Sequence, residues 1–354
     1  MAGPLATSIL GWFGAEVIKV EPPGAGDPIR TWRVLEDGTS LWFRSLARNK
    51  KLVAIDLKTS EGQALVRRLA LECDVLVENF RPGTLERWGL DPEELRAEKP
   101  ELIVARVSGF GQTGPYRQRP GFATIAESMS GLAAISGEPG GQPLLPPIAL
   151  TDELTGLAAA FATLVAVHSG VGQVVDVTLI ESLFQFMSPL VTLYGLTGEL
   201  QGRLGAGLPY TVPRGTYQCS DGAWVGLSAS SDSVAARLLN LLGVGDDPRF
   251  ATFVSRMEHR EELEGIMRDW CAVRTRDEVL AAFAEAEAAV GPVMDIADIT
   301  ADPHYQAREA IVELDGTPMQ GLIAKLSATP GRLQWQGRAM DADGAEIREK
   351  GWDR

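Results

Sequence analysis

The feature of this sequence that most constrains its fold is a repeated alternation of short apolar segments and helix-start signals between residues 14 and 108. Segments rich in Val, Ile and Leu indicate buried strands, and the signals between them indicate helices. Strands that alternate with helices are typical of a parallel α/β layer, in which ligands bind at the carboxyl ends of the strands. The predicted strands are 14–20, 52–57, 74–79 and 102–108.

The predicted helices follow from capping signals and apolar periodicity. Ser60 and Gln63 have the spacing of a capping box, and Asp91 followed by a proline indicates a second helix start. The residues from Thr151 onward predict one long apolar helix. A strand at 172–179 and a further apolar helix to about residue 196 follow it.

The character of the chain changes near residue 200, where a stretch rich in Gly and Pro indicates a linker. Beyond it, Asp221–Gly222 predicts a hairpin turn, and Thr275 with Glu278 predicts a capping box. A Ser-capped helix at 233–242 and a strand at 290–296 complete the pattern. We therefore predict a large α/β domain over 1–200, a linker over 201–215, a smaller α+β domain over 216–312, and a segment over 313–354 that returns to the large domain.

The composition excludes several classes of function. The 354 residues carry a net charge of −14, which argues against nucleic acid and anionic membrane as bulk partners. The three cysteines lie far apart and only three histidines are present, so no metal site is predicted. No apolar run reaches the roughly 18 residues that a membrane span needs, and no signal peptide is evident. We expect a cytoplasmic protein that is not bound to a membrane.

The loop GFGQTG at 109–114 follows a predicted strand and matches the spacing of a dinucleotide-binding fingerprint. The next residues, PYRQRPGF, cannot open the helix whose first turn would hold a pyrophosphate. We therefore interpret the segment as a glycine-rich loop whose backbone comes close either to other parts of the protein or to a ligand.

Basic and amide side chains cluster beside the ends of the predicted strands. In a parallel layer, the residues that follow the strands line one edge, where cationic groups in an acidic protein would bind a ligand that carries phosphate. The alternative is an ordinary solvated surface. Arg48, Lys50 and Lys51 precede the second strand, Lys58 follows it, and Asn79, Arg81 and Arg87 follow the third.

Two acids, Asp152 and Glu153, stand where the long apolar helix begins. Acids at this position relieve the helix dipole and the free N–H groups of the first turn. The alternative is a carboxylate held at the rim of the sheet as a covalent nucleophile for an activated acyl group, which the helix end would keep ionised. A hydrolytic triad with Ser108 and His168 is disfavoured, because His168 lies roughly four turns along the helix from Asp152.

Several segments together resemble one family over nearly the whole chain. The most specific are VENFRPGTLERWGL at 77–90, SGFGQTGPY at 108–116 and LTDELTG at 150–156. They are similar to the class III CoA-transferase family of the CaiB/BaiF type, which includes formyl-CoA and carnitine CoA-transferases.

The resemblance implies a Rossmann-like large domain with a smaller α+β domain, and two chains that form an interlocked homodimer. It implies an enzyme that transfers CoA between an acyl-CoA donor and a carboxylic acid acceptor, with CoA in the substrate and no metal. In the family's mechanism Asp152 would form a mixed anhydride and then an aspartyl-CoA thioester, with the oxyanions held by backbone N–H groups of nearby glycines. Glu153 would be a bystander.

The positions that would contact CoA are carried over residue by residue from the resemblance. Those after the second strand would bound the adenine and phosphates, those after the third would reach the nucleotide, and those near 120 would line the pantetheine or acyl end. They are Ala2, Ile55, Lys58, Asn79, Phe80, Arg81, Arg87, Phe122 and Ala123.

The sequence also departs from the family. Family racemases carry a histidine where this chain has Phe122, which disfavours a 2-methylacyl-CoA racemase, and the acid usual at Ala123 is missing. The glycine loop over the acyl site is reduced to Gly205–Gly207, and the strand that relatives have before Ala2 is expected to be missing from the sheet. A CoA-binding, weakly active subunit of a hetero-oligomeric CoA-transferase is therefore a second hypothesis. Phe122 hints at a less polar acyl group than a small dicarboxylate.

Overall fold

The structure is a computed structural model that describes residues 1–352. The chain divides into two compact units. The first contains 1–132, 145–188 and the chain from His304 onward, and the second contains 133–144 and 189–303. The compact units divide the chain after residues 132, 144, 188 and 303. The domain boundaries predicted at 200, 215 and 312 stay predictions.

The strands and helices of both units follow in chain order. The strands are β1 (Val17–Glu21), β2 (Leu35–Glu36), β3 (Thr39–Ser40), β4 (Lys50–Ala54), β5 (Val75–Glu78), β6 (Ile103–Ser108), β7 (Val174–Thr178), β8 (Arg214–Gln218), β9 (Trp224–Ser228), β10 (Val290–Pro292), β11 (Ile311–Leu314) and β12 (Thr317–Gln320). The helices are α1 (Ala2–Trp12), α2 (Leu41–Leu46), α3 (Ser60–Glu72), α4 (Thr84–Arg87), α5 (Pro92–Glu98), α6 (Ala123–Met129), α7 (Leu132–Ile135), α8 (Leu150–Ser169), α9 (Leu179–Phe184), α10 (Leu190–Thr197), α11 (Asp232–Leu241), α12 (Phe253–Glu258), α13 (Arg260–Ala272), α14 (Arg276–Glu285), α15 (Ile296–Ala301), α16 (Pro303–Ala307) and α17 (Gly344–Lys350).

The first unit contains parallel sheets with helices packed against them, as the alternation of the sequence predicts. β1 pairs in parallel with β4, and β5, β6 and β7 form a second parallel sheet in that order. Val104 packs in one core cluster with α3, and Val107 packs in another with α1 and α8. Residues three apart on a strand face opposite sides, so helices cover both faces of the β5–β6–β7 sheet.

A cleft of about 550 Å³ lies between β1 and β5 and is also lined by residues of α1 and α3. Among the described strands, β1 pairs only with β4 and β5 pairs only with β6, so neither pairs with a strand on the side of the cleft. The far side of β4 is covered differently, because Asp343 and Asp341 accept hydrogen bonds from the backbone N–H groups of Leu52 and Ala54, each at 2.8 Å. The expectation of a missing strand stays a prediction.

The second unit contains an antiparallel sheet in the order β10–β9–β8. β8 and β9 form the predicted hairpin, in which Gly222 has a φ of +82° that favours glycine. Its core cluster is formed by β8, β9, α11, α13 and α14 around residues such as Val225, Met267 and Phe283. The capping box predicted at Thr275 and Glu278 is confirmed at the start of α14.

Three predicted elements are wrong in detail. The apolar helix expected to run to about residue 196 is broken into α9, a short turn and α10, because Pro189 cannot continue a helix. The strand expected at 290–296 ends at Pro292, since Asp295 caps α15 by accepting from the Asp298 N–H at 2.9 Å. The cap of α3 is Thr59, which accepts from the Gly62 N–H at 3.1 Å, and not Ser60.

Helix α8 is the one helix within residues 1–352 that is long and apolar enough to cross a membrane by length and composition. The segment from Leu179 to Thr197 would join it only if its bent helices were counted as a single span. These criteria are weak, because the core helix of a protein in water also satisfies them. One side of α8 packs in the core of the first unit.

Candidate active site

The candidate site is built around the first turn of α8, which contains both acids singled out in the sequence. Ala149 precedes the helix, and within residues 1–352 no side-chain cap is described for its free N–H groups. Asp152 is half-buried, whereas Glu153 is exposed. The structure therefore distinguishes two neighbouring carboxylates that are alike in sequence.

Helix α1 packs against the start of α8 because the contacting side chains of α8 are small. A Cβ atom on Gly156 would lie 2.9 Å from the carbonyl oxygen of Ala2 and 2.9 Å from the Cβ of Leu5, so only glycine permits this approach. The close packing places the backbone N–H of Ala2 near the Asp152 carboxylate, where it acts to lower the carboxyl pKa. A separate helix thereby contributes to the surroundings of this carboxylate.

Burial raises the pKa of Asp152, while the Met1 amino group and the Ala2 N–H act in the opposite direction. Desolvation acts against the ionised form, and the expectation that the helix end keeps Asp152 ionised stays a prediction. A carboxylate that is more basic than usual is also a better nucleophile once it is ionised.

Glu127 is a buried acid beside this turn that sequence reasoning missed. It lies in α6, and its Oε1 accepts a hydrogen bond from the Thr151 hydroxyl at 3.0 Å. Thr155 in turn donates to the backbone carbonyl of Thr151 at 2.7 Å. The residue directly before Asp152 is therefore held from two sides. No sequence signal links Glu127 to Thr151, because their contact exists only in the folded chain.

The glycine-rich loop at 109–114 is a site of close backbone packing. A Cβ on Gly109 would lie 2.7 Å from the Cα of Gly121, and a Cβ on Gly121 would lie 2.8 Å from the Cα of Gly109. Gly111 has a φ of +87°, and the next N–H, of Gln112, donates to Asp176 at 2.9 Å. The glycine contact anchors the chain just before α6, the helix that carries Glu127.

Three predicted cations follow the strands and face solvent. Lys58 comes after β4, and Arg81 and Arg87 come after β5; all three are exposed. Arg87 donates to the Thr84 hydroxyl at 2.8 Å, whereas no partner is described within residues 1–352 for the side chain of Arg81. These groups are available to an anionic ligand.

The cations predicted to precede the second strand have structural partners instead, and Lys50 and Lys51 lie within β4. Lys50 is buried and donates to the carbonyl of Pro4 at 2.5 Å, and Arg48 is buried and donates to the carbonyls of Ser45 and Gln320. Lys51 pairs with Glu16 at 2.7 Å. Only the residues after the strands remain candidates for a ligand, as the topology of a parallel sheet predicts.

The other predicted contacts lie in two neighbourhoods. Ile55 is buried after β4, and Phe80 is partly exposed after β5, where its ring packs edge-on against Trp88 at 5.0 Å. Asn79 lies against Gly3, where a Cβ would be 3.2 Å from the Cβ of Asn79, and so adjoins the Ala2–Asp152 contact.

Phe122 and Ala123 open helix α6, four to five residues before Glu127. Phe122 is 70% exposed, so its ring is free to contact a ligand. Within residues 1–352, no group of three or more His, Cys, Asp or Glu side chains could hold a metal ion.

Comparison with known proteins extends this picture. The family model described as CoA-transferase family III matches residues 1–343. A succinyl-CoA–D-citramalate CoA-transferase of Chloroflexus aurantiacus (strain ATCC 29366 / DSM 635 / J-10-fl) is 44% identical over 360 residues, which cover 98% of this chain and 90% of that protein.

A second relative is a succinyl-CoA–L-malate CoA-transferase alpha subunit of Chloroflexus aurantiacus. It is 42% identical over 349 residues, which cover 94% of this chain and 81% of the relative. Among solved structures, a CAIB/BAIF family protein from Brucella suis matches with a TM-score of 0.87 and 33% identity, over 98% of this chain and 95% of that one.

Proposed function

The chain belongs to CoA-transferase family III and transfers CoA between an acyl-CoA and a carboxylic acid, and we propose that it does so through covalent intermediates on Asp152. The observation that carries this proposal is the half-buried Asp152 carboxylate at the start of α8, beside the Ala2 N–H, with a pKa that burial raises. Glu153, its exposed neighbour, is a bystander.

The proposed sequence has four steps that balance. A carboxylate oxygen of Asp152 attacks the thioester carbon, the C–S bond breaks, and CoA leaves as a thiolate. The thiolate then attacks the Asp152 carbonyl carbon of the mixed anhydride, which releases the donor acid as a carboxylate. The acceptor carboxylate attacks the aspartyl-CoA thioester and expels the thiolate, and the thiolate finally attacks the acceptor acyl carbon, which frees Asp152.

We propose that the exposed cations after the strands bind the anionic part of CoA. Lys58, Arg81 and Arg87 would contact its phosphates, and the guanidinium groups suit bidentate contact with phosphate oxygens. Their exposure and the scarcity of protein partners for Arg81 support this role in a chain with a net charge of −14. Ala2, Ile55, Asn79, Phe80, Phe122 and Ala123 complete the proposed contact set.

The names of the relatives favour succinyl-CoA as the donor and a hydroxy-dicarboxylic acid, such as D-citramalate or L-malate, as the acceptor. The exposed ring of Phe122 favours a less polar acyl group. We propose succinyl-CoA as the donor, because the relatives match nearly the whole chain. A panel of acyl-CoA donors and acid acceptors, read by mass spectrometry, would contradict this choice if a monocarboxylic donor were used faster than succinyl-CoA.

Trapping tests the covalent mechanism directly. Hydroxylamine added with the acyl-CoA donor should convert the acylated side chain into a hydroxamate, and peptide mass spectrometry should locate it at Asp152. Glu153→Gln should still be labelled at Asp152. A label on Glu153, or full transfer without any trapped intermediate, would contradict the proposal.

We propose that a second copy of this chain covers the outer side of α8. Leu157, Phe161, Leu164 and Val165 recur at helical spacing on that side, and Phe161 is 69% exposed. The opposite side of α8 packs in the core, so the helix is not suited to a lipid surrounding. An apolar stripe of this kind is typical of an interface between chains. We propose that this interface belongs to an interlocked homodimer and that the enzyme acts in the cytoplasm.

Light scattering after size exclusion tests the dimer. Phe161→Lys should shift the chain toward the monomer, whereas Val273→Lys, at an equally exposed apolar position, should not. Dissociation of neither variant would contradict the assignment of this side of α8 as the interface.

A second candidate is a subunit that needs a related partner chain. It is favoured by the relative described as an alpha subunit. In that case the purified chain would be stabilised by CoA but would not turn over alone. Turnover of succinyl-CoA by the purified single chain would exclude this candidate.

A further inference from the structure

The segment that joins β5 to α4 carries most of the side chains proposed to bind the CoA nucleotide, and it is closed by an ion-pair network. Asn79, Phe80 and Arg81 follow β5 directly, and Arg87 ends α4. Asn79, Arg81 and Arg87 face solvent. The network lies on the buried side of this segment and joins β5, β6 and α4.

Arg106 is the centre of this network. It lies in β6 opposite Glu78 of β5, and only 6% of it is exposed. Its Nε donates to Glu78 Oε1 at 2.7 Å, its Nη1 donates to Glu86 Oε1 at 2.9 Å, and its Nη2 donates to Glu86 Oε2 at 3.4 Å. One guanidinium group thus joins the end of a strand to Glu86, which lies eight residues later in α4.

Each carboxylate passes this restraint to the exposed segment. Glu78 is buried, and its second oxygen accepts a hydrogen bond from the Phe80 backbone N–H at 2.6 Å. Glu86 directly precedes Arg87 in α4. Between Glu78 and Glu86 the chain turns at Gly83, which has a φ of +85°. The Phe80 ring packs on Trp88. Arg106 therefore restrains both ends of the segment without reaching solvent.

We propose that Arg106 is a positioning residue that holds the segment 78–88 in the shape that binds the CoA nucleotide, an inference that rests on the proposed function. A preformed site loses less conformational entropy on binding than a mobile loop. The planar guanidinium group is required for this role, because two carboxylates at different angles need donors in a fixed fork. Arg106 determines affinity for the nucleotide half of the substrate and leaves the chemistry at Asp152 unchanged.

The matched pair of variants is Arg106→Lys and Arg256→Lys. Arg256 is a buried arginine of the second unit, and it pairs with Asp232 at 2.8 Å. Both changes keep the positive charge but replace a buried, planar guanidinium group by an ammonium group. Removal of the charge at Arg106 would leave two carboxylates unpaired and would disturb folding. Glu86→Gln is a second, milder variant that weakens one arm of the network only.

The test compares two donors, succinyl-CoA and succinyl-pantetheine, which lacks the nucleotide. Arg106→Lys should raise the KM for succinyl-CoA by about tenfold with kcat within about twofold, and Glu86→Gln should raise it by a smaller factor. With succinyl-pantetheine, both variants should match the parent chain. Arg256→Lys should change neither constant.

An equal loss of kcat/KM with the two donors, or an unchanged KM for succinyl-CoA, would overturn the proposal. Hydroxylamine labelling of Asp152 in the parent chain is measured alongside. Its absence would contradict the covalent mechanism, whereas the comparison of donors tests Arg106 on its own.

Discussion

Helices α8 and α14 both carry acids in their first turn, but the two helix starts use those acids in opposite ways. At α14, Glu278 accepts a hydrogen bond from the Thr275 N–H at 2.8 Å, and the Thr275 hydroxyl accepts from the Glu278 N–H at 3.3 Å. At α8 no side-chain cap is described within residues 1–352, and the carboxylate of Asp152 lies near the N–H of Ala2 in another helix.

The pKa values of these acids move in opposite directions. The hydrogen bonds with Thr275 lower the pKa of the exposed Glu278, whereas burial raises that of Asp152. An acid in a first turn stabilises its helix when it reaches the free N–H groups of that turn. Burial of Asp152 acts against its ionised form, so its placement works against the stability of the fold at neutral pH.

The largest expected effect separates the two helix starts by activity. Asp152→Ala should lower the transfer rate by about 10³-fold or more, because a covalent nucleophile is removed. Glu278→Gln should leave the rate unchanged. Acyl transfer followed by mass spectrometry measures both, and full activity of Asp152→Ala would remove the distinction between the two acids.

A pair of helical glycines extends the comparison to packing. Gly156→Ala in α8 should destabilise the chain by about 1–3 kcal/mol and lower activity, because the new Cβ would push Ala2 away from Asp152. Gly265→Ala in α13 should instead stabilise it by about 0.5–1 kcal/mol, because among residues 1–352 no atom beyond the adjoining helix backbone lies within 4 Å of an added Cβ. Urea unfolding measures both changes, and a neutral Gly156→Ala would mean that the helices can separate without loss.

Disruption of the capping box of α14 should have a smaller effect, which lowers stability but not activity. Thr275→Ala should lower the free energy of unfolding by about 1 kcal/mol, because one orphan N–H of α14 loses its acceptor. The transfer rate should not change. Thr275→Ser, which keeps the hydroxyl, serves as the control, and an equal loss in that variant would argue against the cap.

The smallest effect is a difference in pH dependence. The folded pKa of Glu278 is lowered from its ordinary value of 4.5, so its stabilising contribution is present above that value and is lost as pH falls through the lowered pKa. The folded pKa of Asp152 is raised, so the folded chain binds the proton more tightly and loses stability as pH rises through that range.

At neutral pH, Asp152→Asn should therefore raise the midpoint of thermal unfolding, and Glu278→Gln should lower it. Both differences should shrink in acid, where the carboxyl groups are protonated in the folded and unfolded states alike. A lower unfolding midpoint of Asp152→Asn at neutral pH would contradict the argument.

Much of the fold could be predicted because its signals are local. The Val- and Ile-rich strands of the first unit, the hairpin at Gly222 and the cap at Thr275 each depend on a few neighbouring residues. Pro189 and Asp295 also carried local signals, of a helix break and of a helix cap, and the errors there came from continuing an apolar pattern across them.

The site could be predicted only in part, because its contacts join distant residues. Arg48 and Lys50 look like surface cations in sequence, and only the fold shows their carbonyl partners. The contacts of Glu127 with Thr151 and of Arg106 with Glu86 span 24 and 20 positions, so no pattern along the chain could indicate them. The likeness of this chain to a family pointed to Asp152 but not to the residues that hold it.

The touching backbones of Gly109 and Gly121 have a consequence for how this protein can change over generations. In most packed pairs a larger residue at one position is rescued by a smaller one at the other. Here each partner is already the smallest residue that exists, so neither position has a compensating mutation to offer. Neither glycine can therefore be replaced by a single substitution without strain. A larger residue in the loop before α6 would require both backbone segments to move.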